Sequence, residues 1–452
     1  MCYSTTMTKK WMYALGQLGW SLASYAPANL LNVFYQPPQV DGVNPLFPLF
    51  ISTALIGGVF TWLGILSATG RIFDAVSDPL VAGLSDRFQS KWGRRIPFLA
   101  SSALPFALFS FLIFVPPVGQ ESPWNVVWLA VMLFLYYLAF TLYVTPYTAL
   151  LSELGKTAKE RLDLSTMISV TWALGFVIGG STFIILDAVK VFFPSNLLAF
   201  QLIMAVYSLI AFLLMMLPVI AIQEDRDLGQ REKGEPLLPA LKRLWSNPDF
   251  RWFVASDLMY WMALTFIQIG ISYYVITLLG LEKGWTSIFL YIMFFGSFAL
   301  YVPVNVLAKK WGKKNLMMVA FGLDAVVFGM VMVLGYLPLP REVQGLLVIL
   351  LYIVPLAIFS IMPNAMVADM SHASLKTSGF GNEGMFFGVR TLMMKFGIAA
   401  ANLIFPSLIQ LGASPQNDWG LRLSGLVALV ICLLGLVFIS RYDEHKILRD
   451  LE

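Results

Sequence analysis

Asp74 and Asp78 stand one helical turn apart in GRIFDAVSDPLVAGLSDRFQSKWGRR (Gly70 to Arg95), inside a long apolar stretch. Residues at i and i+4 of a helix share a face, and an ionisable side chain at bilayer depth costs ~2.5–3.5 kcal/mol on insertion scales. Two carboxylates kept together at that cost have the chemistry of a cation site. They neutralise a bound cation, or repel each other until one takes up a proton. The plainer alternative is an ion pair between Arg71 and Asp74 at i and i+3, with Asp78 capping the helix end near the water. That accounts for one carboxylate and leaves the other without a purpose.

The elements that must position this pair are membrane spans. Of 452 residues, 58% are hydrophobic and 12% charged, where soluble chains carry about a quarter charged. Taking about 20 apolar residues per spanning helix, the sequence reads as twelve spans near 11–35, 50–85, 96–116, 125–152, 165–186, 197–222, 249–278, 285–308, 315–336, 343–370, 383–411 and 419–441. The first follows Lys9 and Lys10 but outruns a signal-peptide core and is read as uncleaved. Two cysteines, Cys2 and Cys432, and two histidines, His372 and His445, indicate no disulfide framework, metal site or cofactor. The net charge of +4 reports membrane orientation rather than nucleic-acid binding.

Lys and Arg collect on alternate connections. One side carries Lys9 and Lys10, then Arg87, Lys91, Arg94 and Arg95, then Lys156, Lys159 and Arg161, then Arg226 through Arg251, Lys309 to Lys314, Lys376 and the tail; the other has Lys190, Lys283 and Arg341. Cytoplasmic loops hold the positive excess, so both termini are expected in the cytoplasm, with the chain multi-pass in the plasma membrane, the inner membrane of the cell. The longest polar connection divides the chain into an N-terminal six-helix bundle (1–222), a linker (223–248) and a C-terminal six-helix bundle (249–452). SKWGRR (Ser90 to Arg95) leaves the second span and KKWGKK (Lys309 to Lys314) the eighth, an echo that suggests duplicated halves.

R-x-x-D-A-x-x-D-P (Arg71 to Pro79), S-x-W-G-R-R (Ser90 to Arg95), P-Y-x-x-L (Pro146 to Leu150), M-V-A-D (Met366 to Asp369) and T-L-M-M-K (Thr391 to Lys395) occur in that order. On these motifs the chain resembles the glycoside-pentoside-hexuronide:cation symporters, the melibiose permease-like family of the major facilitator superfamily. The resemblance implies an all-α membrane fold of twelve transmembrane helices in two six-helix bundles. It also implies a cation site of Asp74, Ser77, Asp78 and Thr141, with Lys395 and Arg71 in coupling. If Lys395 reaches the aspartates, the empty site carries one net negative charge, which Na⁺ or a proton cancels.

By the same alignment, the family's acidic sugar positions are Ser21 and Val144, its stacking tryptophan is Thr148 and its arginine is about Ile168. A galactoside site needs carboxylates and an aromatic plate, and those parts are missing. The cavity is then expected to hold a different glycoside through Trp20, Tyr25, Tyr143 or Tyr147, or an amphiphile such as a lysophospholipid. Asp86, Arg87, Arg94 and Arg95 resemble the superfamily's loop that latches one state by charge pairing. Among the other acidic residues in spans, Asp324 is expected to meet a local partner or to mark a misdrawn span, and Asp257 and Asp187 to be interfacial.

These readings converge on a monomeric symporter of a small sugar or glycoside, its partners a small-molecule substrate, a coupling cation and the lipid bilayer. A membrane-embedded enzyme would need a catalytic cluster that the sequence does not offer. A solute sensor would keep the site and show no counterflow.

Overall fold

The computed structural model describes residues 7–40, 44–155, 157–222, 244–378 and 383–451. The chain divides into two compact units, Met1–Pro37 with Pro45–Arg231, and Pro38–Asn44 with Glu232–Glu452. The expected linker, 223–248, lies outside the described residues as far as 243.

In the first unit the helices are α1 (Met7–Asn29), α2 (Leu31–Tyr35), α3 (Trp62–Arg87), α4 (Ile96–Leu112), α5 (Pro123–Leu154), α6 (Ala158–Gly180), α7 (Thr182–Val189) and α8 (Asn196–Ala221). α1 packs on α6 and α8, and α5 on α3 and α4. The expected second span starts late, at Trp62, because residues 50–61 are not helical: Ile56 folds back to bridge Phe60. The Thr61 hydroxyl then caps the new helix by accepting from Gly64 N at 3.1 Å. One end of the unit is sealed by rings, Phe34 meeting Phe47, Phe50, Phe114 and Phe200 within 5.5 Å.

The second unit holds α9 (Pro248–Tyr273), continued by a π-helical turn (Tyr274–Leu278), α10 (Gly284–Ala299), α11 (Tyr301–Trp311), α12 (Lys313–Val333), α13 (Arg341–Ser378), α14 (Glu383–Ile409), α15 (Trp419–Ser440) and α16 (Glu444–Leu451). α9 is its central helix, packed on α14 and α15, with α12 against α13 and α15.

Each expected span falls on a helix or a broken helix. Among the described residues eight helices are long and apolar enough to cross a membrane, nine counting α10 with α11, which bend by 49° at their junction. The other three expected spans are special cases: α1 is diluted by Gln17, Ser21, Ser24 and Asn29, α3 carries Arg71, Asp74 and Asp78, and α4 has 17 residues. The helices with the weakest apolar signal include the one that carries the charges.

Candidate cation site

α3 and α5 build the site inside the first unit. At Gly70 an added Cβ would lie 2.5 Å from the Tyr137 ring, so the absence of a side chain lets α5 approach α3. Tyr137 then lies under the Arg71 guanidinium, 5.3 Å from its ring centroid, a cation–π contact that helps to hold a charge away from water. Arg71 Nη1 reaches Asp74 Oδ2 at 3.4 Å, and the Thr141 hydroxyl donates to Asp74 Oδ1 at 3.0 Å. Asp74 and Thr141 are both wholly buried.

Ser77 hydrogen-bonds to the Thr141 hydroxyl at 3.1 Å and donates to the Asp74 carbonyl at 3.1 Å. One turn along both helices, the Thr145 hydroxyl donates to Asp78 Oδ1 at 3.1 Å. The Arg71–Asp74 pair anticipated as the plainer alternative does form, yet Asp78 caps nothing, because α3 runs on to Arg87. The structure brings Asp74, Ser77, Asp78, Thr141 and Arg71 together. Thr145 and Tyr137 had been overlooked, although Thr145 follows Thr141 by the same four residues that separate Asp78 from Asp74.

Lys395 lies on α14 of the second unit, 6% exposed. Within the first unit Arg71 is the cation paired with Asp74 among the described residues.

The positions assigned to a solute cavity are mostly engaged in packing. Tyr143 and Tyr147 are wholly buried. Their hydroxyls donate to the Met215 carbonyl at 2.8 Å and the Tyr13 carbonyl at 2.6 Å, and Tyr147 stacks on Tyr13 at 4.5 Å. Tyr25 meets Phe176 edge-on at 5.1 Å, Ser21 donates to the Trp172 carbonyl at 2.9 Å, and Trp20 meets Phe140 at 6.0 Å. Val144 and Ile168 are half-buried and Thr148 is exposed.

The loop between α3 and α4 forms a charged cluster. Arg95 bridges Asp86 at 2.8 Å and Glu153 at 2.7 Å, and Arg94 reaches the same Glu153 oxygen at 2.7 Å; Arg87 is exposed. Glu153, at the end of α5, had been missed. In the second unit the echoed turn does the same work: Lys313 pairs with Asp369, while Glu444 accepts from Lys313 N at 2.7 Å and Lys314 N at 3.0 Å. Gly93 and Gly312 both adopt positive φ, 107° and 83°, where a side chain would be strained.

Asp257, expected to be interfacial from its place near a span end, is covered by the protein. It is wholly buried and held by Arg390, Nε to Oδ2 at 3.0 Å and Nη2 to Oδ1 at 3.1 Å. Asp187 does sit at a helix end, paired with Lys190 at 2.8 Å. Asp324 is buried within α12, and its Oδ1 has no hydrogen-bond partner among the described residues; the local partner anticipated for it is not found at that oxygen.

A family profile described as MFS/sugar transport protein matches residues 12–443. An uncharacterized symporter of Synechocystis sp. is 30% identical over 186 residues, 39% of this chain and 31% of that protein, so the chain spans about a third of that relative's length. The isoprimeverose transporter of Lactiplantibacillus pentosus is 24% identical over 380 residues, 82% of this chain and 76% of its own. The sodium-dependent lysophosphatidylcholine symporter 1 of Xenopus tropicalis is 23% identical over 443 residues, 85% of this chain and 80% of its own. A solved structure of a D-xylose-proton symporter shares the fold, with a TM-score of 0.71 at 15% identity over 98% of this chain and 99% of that one.

Proposed function

The chain belongs to the MFS/sugar transport protein family, and on that premise we propose that it is a plasma-membrane symporter coupling Na⁺ or a proton to uptake of a small sugar or glycoside. It is a multi-pass transporter and not an enzyme. The observation that carries the reading is the paired motif in which Thr141 serves Asp74 and Thr145 serves Asp78.

Two carboxylates and the Arg71 guanidinium leave one net negative charge on the site. A monovalent cation cancels it, and a neutral site crosses a low-dielectric interior at far less cost than a charged one. The carboxylates and the Ser77, Thr141 and Thr145 hydroxyls form an all-oxygen set suited to Na⁺; alternatively a proton binds and the pair titrates as a unit. Lys395 is assigned to coupling, the protein acts as a monomer without nucleic-acid partners, and the termini are cytoplasmic. Each charge moved through 100 mV supplies about 2.3 kcal/mol to uphill transport.

Proteoliposomes offered labelled isoprimeverose, D-xylose or lactose test the reading. Uphill accumulation should depend on a Na⁺ or pH gradient and be abolished by Asp78→Asn; uptake that is indifferent to both gradients refutes it. A second reading, an amphiphile symporter, is favoured by the small, weakly polar residues Ser21, Val144 and Ile168 and by the likeness to the lysophosphatidylcholine symporter. Gradient-driven uptake of labelled lysophosphatidylcholine in place of sugar would select it.

A further inference from the structure

Two of the carboxylates buried in the helix interiors have a guanidinium beside them: Asp74 is paired with Arg71 and Asp257 with Arg390. Asp324 differs. It is 2% exposed, near the middle of α12, on the face that also buries Met317, Ala320, Phe321, Phe328 and Val331. Its Oδ1 has no hydrogen-bond partner, and no Lys or Arg pairs with it, among the described residues.

α12 is packed against α13 and α15. The titratable groups that face Asp324 are Tyr260 from α9, Tyr352 from α13 and Cys432 from α15, side-chain types that carry no charge at neutral pH. Tyr260 in turn faces Tyr301 of α11 and the Asp257–Arg390 pair, whose charges cancel. Rings close off the surroundings: Phe321, one turn before Asp324, meets Phe359 at 4.8 Å, and Phe359 stacks on Tyr260 at 4.3 Å. At Gly435 of α15 an added Cβ would collide with the Phe321 ring, so α12 and α15 leave no room for a further side chain between them there.

A carboxylate removed from water and given no counter-charge is far costlier than the neutral acid, and such a group is neutralised instead. Packing alone does not call for an acid, since Asn or Leu fills a similar volume without that cost. Acids held inside membrane helices mark proton paths, and a proton, unlike a solute, needs no cavity.

We propose that Asp324 is a proton-binding site of the second unit, separate from the cation pair on α3. The proton stays on the carboxyl while α12 is packed against α13 and α15, and passes to water when water reaches that face. Opening of the second unit at this face therefore releases one proton and is favoured by rising pH, whichever ion occupies Asp74 and Asp78.

Infrared spectra and thermal melts of the full-length protein in nanodiscs test it. At neutral pH, Asp324→Asn should remove one protonated-carboxyl C=O band, which Asp74→Asn and Asp78→Asn leave in place and saturating Na⁺ does not alter. A carboxyl protonated when folded and ionised when unfolded makes folding take up a proton. Stability then falls as pH rises above about 4, by up to about tenfold in the folding equilibrium per pH unit. The melting temperature should accordingly fall more steeply with rising pH in the wild type than in Asp324→Asn, and Asp324→Ser serves the same comparison if the first variant does not fold. No carboxyl band lost, or melting temperatures of wild type and variant that fall in parallel, overturns the proposal. A band lost in Asp78→Asn instead assigns the proton to the cation pair and overturns it too. Gradient-driven uptake that survives Asp78→Asn overturns the symport reading and leaves the Asp324 proton standing.

Discussion

At the residue scale, the two threonines separate a buried carboxylate from a half-buried one. Asp74 is sealed from water and Asp78 is partly exposed, so the Thr141 donor is the harder to replace. Removing one partner of a buried polar group costs about 1–3 kcal/mol. Thr141→Val should therefore weaken cation binding about tenfold or more and Thr145→Val less, with Thr141→Ser restoring most of the affinity in a cation titration; equal effects would contradict the burial argument. Gly70→Ala forces the Tyr137 ring away from Arg71. Overpacking of this kind costs about 1–3 kcal/mol, read as a lower melting temperature and a weaker cation response. The aspartates were legible in the sequence because charge inside an apolar run is expensive wherever it occurs. Tyr137 and Glu153 were not, because their roles depend on the register between helices distant in the chain. The Arg390 partner of Asp257 was not legible, because distance along the sequence from a span end says nothing of which face of α9 is covered.

At the element scale, the W-G-basic-basic echo is a repeat of structure as well as of letters. In each unit a basic residue after the turn pairs with an acid on a later helix, Glu153 on α5 or Asp369 on α13. A second echo was invisible in sequence because its partners are carbonyls: Asn125 holds Phe50, Val118 and Gln120 through Nδ2 at 2.8 to 2.9 Å, and Gln344 holds Leu337 and Leu339 through Nε2. α16 is tied down by charge. Lys446 reaches Asp249 at 2.8 Å, which raises the lysine above its ordinary range, and the backbone N–H of Lys446 lowers the Asp443 carboxyl. A raised lysine contributes below its unfolded pKa and loses that contribution as pH rises through the folded value; a lowered carboxylate contributes above its unfolded pKa and loses it as pH falls through the folded value. α16 should therefore stay docked from roughly pH 4, the unfolded carboxylate value, to roughly pH 10.4, the unfolded lysine value, and loosen as pH passes beyond either. Hydrogen exchange across 444–451 measures this, and a window centred elsewhere would show that other groups hold the helix.

At the scale of the whole molecule, the distribution of Lys and Arg makes an orientation prediction. Single cysteines placed at Lys91 and Lys446 should be labelled by an impermeant maleimide only after the membrane is opened, and one at Lys190 in intact cells; the reverse pattern inverts the topology. Apolar length alone recovers the eight or nine plainest spans. The motif-bearing α3 had to be read through its carboxylates, since a helix that carries Arg71, Asp74 and Asp78 cannot also be uniformly greasy. One oxygen atom bears on how such a machine changes state: Glu153 Oε1 receives both Arg94 and Arg95. Two guanidiniums share this acceptor, so a shift of α5 that withdraws Glu153 loosens both at once, while Arg95 keeps its contact with Asp86. If this loop latches one state, as the resemblance implies, Glu153→Gln should shorten the dwell time of that state in single-molecule fluorescence, and an unchanged dwell time would leave the cluster a local tie between α3, α4 and α5.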